Sequence, residues 1–187
     1  PNAANDGWIL KLNATGSIEW QKSIRGNLFD ILDNIKQTTD GGYIAGGLAT
    51  SFISGDKTEY TQGGVDIWVI KLDETGSIQW QNTIGGSEYD ALVSIQQTAD
   101  GGYILGGDSY SGISGDKTEA SQGLTDYWVV KLDAAGDIQW QNTIGGSDYD
   151  VLYSIQQTSD GGYILGGYSD SGISGDKTEA SKGGEDY

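Results

Sequence analysis

The 187-residue chain contains no cysteine, no histidine and no methionine. These absences remove thiol nucleophiles, disulfides, Ser-His-Asp triads and imidazole-based zinc or copper sites. Any chemistry left must use carboxylates, hydroxyls, lysines or a cofactor. A cysteine-free chain also suits an exposed bacterial surface, where thiol oxidation is a liability. No apolar run approaches the ~18 residues of a membrane span, and no basic start leads into an apolar stretch, so neither a span nor a signal peptide lies within this segment. The opening "PNAAND" lacks Met and suggests processing or truncation. Positive charge is scarce: 10 basic residues face 27 acidic ones, for a net charge of -17. Such a surface repels phosphate backbones and anionic lipid, so neither nucleic acid nor membrane insertion is expected. Hydrophobic residues make up only 36%, but 31 glycines bring the chain to an ordinary globular composition, and a packed core is expected.

What the chain has instead is repetition. It divides without a gap into three 60-residue units, 6–65, 66–125 and 126–185. The second and third agree at 46 of 60 positions and the first and second at 34 of 60. The segment "SGISGDKTEAS" occurs identically at Ser111–Ser121 and Ser171–Ser181, with a looser copy, "SFISGDKTEYT", at Ser51–Thr61. A fixed period of this length signals a repeat architecture.

Within the unit, "DYWVVKLD" (Asp126–Asp133) and "IQWQNTI" (Ile138–Ile144) bracket a glycine turn and read as a hairpin. "YSIQQTSDGGYILGG" (Tyr153–Gly167) supplies a second pair of strands around an Asp-Gly turn. No stretch has helical periodicity with caps. Four short antiparallel strands per repeat match the blade of a β-propeller, in which small twisted sheets stack their faces. Trp68, Ile70, Leu72, Trp80 and Ile95 are expected between such sheets, the six tryptophans and Tyr103 and Tyr163 in the core. The pairs Gly106-Gly107 and Gly166-Gly167 are expected where backbones approach closely. A β-solenoid is the other architecture a repeat allows, although its coils are usually shorter.

The order "GGYILGG", long loop, "DYWVVKLDAAGDIQW" resembles the double-glycine, aromatic and tryptophan order of kelch blades, and "KLDxxGxIxW" is similar to the tryptophan-docking pattern of quinoprotein blades. More of the chain resembles bacterial secreted propeller repeats of about 60 residues, the delta-60 and seven-bladed (SBBP-type) repeats, with "KLDxxGxxxW...GGSxxD...DGGYIxxG". That resemblance covers all three units and implies an all-β propeller, an extracellular or cell-surface location and a binding role. The quinoprotein cofactor ligands have no counterpart here. The resemblance makes "SIQQT" the innermost strand, followed outward by "YILGG", "YWVVKLD" and "IQWQNT". Three blades are fewer than the 4 to 8 of a typical ring, so a section of a longer array, or a homo-oligomer that completes one ring, is expected.

The connection Ser109–Thr125 is far longer than a hairpin turn and should share one face with Gly145–Asp150. This face gathers acids suited to calcium: Asp56, Glu59, Asp116, Glu119, Asp126, Asp176 and Glu179. Their spacing matches no EF-hand or RTX pattern and a lysine sits among them. The plainer expectation is that Asp116 and Thr118 bond their own loop, while Lys117 and Glu119 form exposed or inter-blade pairs. "GGS" at Gly85–Ser87 precedes no helix and lacks a P-loop lysine, so no phosphate site is read there. Tyr89, Tyr110, Tyr149 and Tyr168 occupy or border loops, where tyrosines can stack on sugars or meet protein partners. A glycosidase would need two carboxylates with separated pKa values. Here every acid recurs with the repeat, and the first unit's departures are chiefly Lys22, Arg25, Asp33 and Lys36. The expected function is therefore a non-enzymatic binding or adhesion module for a protein or carbohydrate. A structural spacer or assembly subunit, and a carboxylate-based glycoside hydrolase, are the alternatives.

Overall fold

A computed structural model describes residues 7–181, which form an all-β protein. The strands are β1 (Gly7–Leu12), β2 (Ile18–Ile24), β3 (Asp30–Gln37), β4 (Tyr43–Ala49), β5 (Asp66–Leu72), β6 (Ile78–Ile84), β7 (Asp90–Gln97), β8 (Tyr103–Ser109), β9 (Asp126–Leu132), β10 (Ile138–Ile144), β11 (Asp150–Gln157) and β12 (Tyr163–Ser169). All pairings between them are antiparallel. Two complete meanders, β3-β4-β5-β6 and β7-β8-β9-β10, lie between two half-sheets, β1-β2 and β11-β12. Each complete sheet takes two strands from one sequence repeat and two from the next. Residue 6 of the first repeat and residues 182–185 of the third lie outside the described residues.

Side-chain chemistry fixes the turns. Asp73 accepts backbone N–H bonds from Thr75 at 2.8 Å and Ser77 at 2.9 Å, closing the β5–β6 turn, and Asp133 repeats this with Ala135 and Asp137 between β9 and β10. Asp100 accepts from Thr98 Oγ1 at 2.5 Å and from the Gly102 N–H at 3.0 Å, closing β7 onto β8. These short Asx-type closures set strand register locally.

The sheets stack through alternation. Along β5, Trp68, Ile70 and Leu72, with Ala45 of neighbouring β4, face Ile9 and Ile24 of the β1-β2 sheet. Ile67 and Val69 face the other way, against Leu92, Ile95, Leu105 and Trp128 of the next sheet. The pattern continues at β9, where Val129 joins Ile104 and Ile155. Central strands are thus buried on both faces, which explains their near-continuous apolar runs in an antiparallel context. The second glycine of each pair works as expected in every repeat, a Cβ on Gly107 or Gly167 striking the carbonyl of Ala91 or Val151, whereas of the first glycines Gly106 would collide with Leu152 and Ile155 of the following sheet and Gly166 meets open space.

The expectation that all six tryptophans are core is corrected. Trp68 and Trp128 are 0% and 1% exposed, Trp20 and Trp80 are partly buried, Trp140 is 38% exposed and Trp8 61% exposed. Tyr103 is buried but Tyr163 only half-buried. The residues are equivalent in sequence; the outlying ones lack a neighbouring sheet.

Candidate binding face

The recurrent polar loop is a clasp. Between β4 and β5, the Asp56 N–H donates to Arg25 O at 2.8 Å while Asp56 Oδ2 accepts the Arg25 N–H at 3.1 Å, gripping the connection that leaves the preceding sheet. Asp116 does the same with Gly85, at 2.8 and 3.2 Å, and Asp176 with Gly145, at 2.8 and 3.2 Å. The neighbouring acid faces its own sheet: Glu59 accepts the Thr83 N–H at 2.5 Å and Glu119 the Thr143 N–H at 2.8 Å. The lysine between them is not exposed. Lys57 and Lys117 are each 1% exposed, donate to Thr83 Oγ1 and Thr143 Oγ1 at 2.6 Å, and sit over Trp68 and Trp128 at 5.9 and 5.3 Å. Burial holds Lys117 down to about 8. The expected exposed Lys117 pair and loop-internal Asp116 bonds are therefore corrected: these groups join strands and sheets. Thr118 donates its N–H to Gln141 of β10 at 3.1 Å. Gly115, at φ 56°, turns the chain so closely over Gly85 that a side chain would strike it.

The face is further pinned by strand-start aspartates. Asp90, fully buried, accepts from Ser109 Oγ at 2.5 Å, Ser111 Oγ at 2.9 Å and the Gly86 N–H at 2.6 Å. Asp66 and Asp126 each accept two loop N–H groups through Oδ2, from Gln62 and Gly63 and from Gln122 and Gly123, while their buried Oδ1 atoms lack a partner. Burial pushes Asp66 up to about 6 and raises Asp126 and Asp116 as well. Of the acids suited to calcium, only Glu179 has no sheet to hold. Among the described residues the β11-β12 half-sheet has no outer strand whose N–H it could accept, as Glu59 and Glu119 do. Among the described residues, no three carboxylates are grouped so as to hold a metal ion. A 430 Å³ cleft between the central sheets is lined by Glu59, Asp116 and Asp137, but the first two are already committed to backbone donors.

The two loops meet as expected: Ser87 and Glu88 donate N–H bonds to Ser114 Oγ and Ser111 Oγ at 2.8 and 3.0 Å. Exposed on them, beside Ile113 and Glu88, is a pair of aromatic rings. Tyr89 and Tyr110, 41% and 46% exposed, stand edge to face with ring centroids 5.9 Å apart. Partial burial raises the Tyr89 phenol, and the charge of Asp108 raises it further. Asp108 accepts the Leu152 N–H at 2.7 Å and is pushed by burial up to about 6. Tyr149 is 38% exposed, but Asp170 replaces the tyrosine that would partner it, and Tyr168 lies against Tyr153 at 5.8 Å. The four tyrosines thus form one pair and two separate rings. Sequence reading missed Tyr153, whereas the exchange of Asp108 and Tyr110 for Tyr168 and Asp170 between near-identical repeats marks this rim in the sequence.

No protein-family model matches the chain. Over 182 residues it is 23% identical to the regulatory protein FlaEY of Caulobacter vibrioides, an alignment covering 92% of this chain and 19% of that protein. The chain therefore spans about a fifth of that relative's length.

Proposed function

We propose that this chain is a section of a β-propeller acting as a non-enzymatic binding module, with a protein or carbohydrate partner held at the loop face. The observation that carries this reading is the Tyr89–Tyr110 pair: two exposed rings on loops whose other polar groups are spent on holding the sheets together. Such rings offer apolar area at small entropic cost on a rigid frame, and Asp108 beside them offers an acceptor. The radial arrangement is supported by the four-stranded meanders stacked at a constant 60-residue period. A location outside the cell or on its surface follows from the resemblance to secreted repeats and suits the absence of cysteine. The reading needs no calcium and no reaction at the acidic cleft.

Binding to a glycan array and to immobilised surface proteins tests this. Tyr89→Ala combined with Tyr110→Ala should remove binding while leaving far-ultraviolet circular dichroism and the melting temperature near wild type. Retention of full affinity by this folded variant would sink the assignment.

A further inference from the structure

The two ends of the strands differ in chemistry. At one end the hairpin turns, residues 13–17, 38–42, 73–77, 98–102, 133–137 and 158–162, contain no large apolar residue. The ion pairs Lys11–Glu19, Lys71–Asp40 and Lys131–Asp100 also lie at that end. The loop end is apolar and acidic instead. Ile53, Ile113 and Ile173 occupy the same position in the three polar loops and are 47%, 72% and 69% exposed. An isoleucine side chain has no polar atom and no aromatic face, so it serves neither a loop hydrogen bond nor stacking on a sugar ring. Its recurrence outside the packed sheets is explained by an apolar partner.

The surroundings of the isoleucines define what that partner carries. Ser114 Oγ accepts the Ser87 N–H at 2.8 Å and Ser174 Oγ the Ser147 N–H at 2.9 Å, which brings the Ile113 turn onto the connection bearing Glu88 and Tyr89, and the Ile173 turn onto the one bearing Asp148 and Tyr149. In the first repeat the positions of Glu88 and Tyr89 hold exposed Leu28 and Phe29, and Ile53 follows exposed Phe52. Arg25 stands where the later repeats have Gly85 and Gly145, adding positive charge at this apolar end alone. Along the rim, apolar residues thus give way to Glu88 and then to Asp148 and Asp170. The lysines of the central loops do not offset these acids, because Lys57 and Lys117 are buried and donate to Thr83 and Thr143. We infer that the rim binds a cationic amphipathic segment of a partner protein. Its apolar side chains sit on the isoleucines and on Leu28, Phe29 and Phe52, and its lysines or arginines point toward Glu88, Asp148 and Asp170. The inference rests on the binding-module reading and narrows it from protein or carbohydrate to one protein chemistry. A second copy of this chain, also at -17, is repelled by the same charges.

Fluorescence anisotropy of a labelled amphipathic leucine-lysine peptide tests this on the 187-residue chain, with oligolysine of equal charge and a leucine-glutamate peptide as controls. The leucine-lysine peptide should bind about tenfold or more tightly than oligolysine, and the leucine-glutamate peptide should not bind. Ile53→Ser combined with Ile113→Ser and Ile173→Ser should weaken the leucine-lysine peptide about tenfold or more at unchanged melting temperature, because the three side chains lie outside the core. Glu88→Gln with Asp148→Asn and Asp170→Asn should also weaken it and flatten its dependence on salt. Equal affinity for oligolysine, or full affinity of the isoleucine variant, would mean that net charge alone attracts the peptide and would overturn the inference. Isoleucine-dependent partition onto phosphatidylcholine vesicles without peptide binding would overturn it in favour of a lipid surface. Capture of a glycan or protein that needs Tyr89 and Tyr110 but not the isoleucines would leave the binding-module reading standing and defeat this inference alone, whereas no binding in any of these assays defeats both.

Discussion

Replacing Asp90 with alanine should be among the most damaging single substitutions in the chain. The carboxylate is fully buried and receives three donors, Ser109 Oγ, Ser111 Oγ and the Gly86 N–H, so it ties together the start of β7, the end of β8 and the connection from β6. The two hydroxyls can rotate toward other acceptors, but the Gly86 N–H cannot. One stranded buried donor costs about 1 to 3 kcal/mol, and lost charge-assisted bonds to the hydroxyls bring the sum to about 3 to 5 kcal/mol. For a chain of this size that corresponds to a fall in melting temperature of roughly 10 °C. Asp90→Asn keeps one acceptor and should lose about 1 to 2 kcal/mol; Ser111→Ala, which removes one donor, about 1 kcal/mol. Urea denaturation at pH 7, followed by fluorescence of buried Trp68 and Trp128, measures each loss as a lower midpoint at unchanged slope. If Asp90→Ala stays within about 1 kcal/mol of wild type, the loops are not fastened through this carboxylate and the reasoning fails.

Stability should also fall as pH rises from ~4 to ~6, because Asp66 and Asp108, held up to about 6, stay protonated in the folded chain after their unfolded counterparts ionise near ~3.9. Asp40 and Asp100, lowered to about 2 mainly by hydrogen bonds from Lys71 and Thr98 respectively, act with the opposite sign: their contribution is present above ~4 and disappears as pH falls through ~2. The melting temperature should therefore peak between these windows, and Asp66→Asn, which keeps an acceptor for Gln62 and Gly63, should flatten the upper slope; an unaltered slope would refute the assignment. Lys117→Met preserves the stem against Trp128 and removes a buried charge, so chemical denaturation should place it within about 1 kcal/mol of wild type, while Lys117→Ala should cost about 2 to 4 kcal/mol through the cavity it leaves. Equal losses from both variants would mean that the ammonium, not the stem, is what matters.

The strands, their order and the meeting of the two loops were legible because they follow from local chemistry repeated three times. Asp-Gly turns, glycine pairs and alternating tryptophan strands need no long-range information. The clasp was not legible. Lys117 belongs to a polar loop and reads as a solvated charge, yet its stem lies over Trp128 and its head reaches Thr143, 26 residues away. Nothing in local composition marks a lysine for burial; the signal was its unchanged recurrence beside an equally constant threonine or serine on the outermost strand. Trp8 shows the reverse failure. Its sequence context matches that of Trp68, so a reading of residues alone assigns both to the core, and only the number of sheets on either side separates them.

That difference bears on what the identical loops are for. A loop constrained to grip the preceding sheet with Asp116, its own outer strand with Lys117 and Glu119, and the start of its own sheet's first strand through Ser111 has little freedom to recognise a partner with those same groups. Recognition must then fall to positions the clasp leaves free, and these are where the repeats diverge: Asp108 and Tyr110 against Tyr168 and Asp170, Phe52 against Gly112, Tyr60 against Ala120. Phe52 and Tyr60 also meet edge to face at 6.5 Å and are 54% and 64% exposed, giving the first loop its own aromatic pair. The invariant polar residues hold the sheets, while invariant Ile53, Ile113 and Ile173 stay exposed and the variable residues give each stretch of rim a different surface.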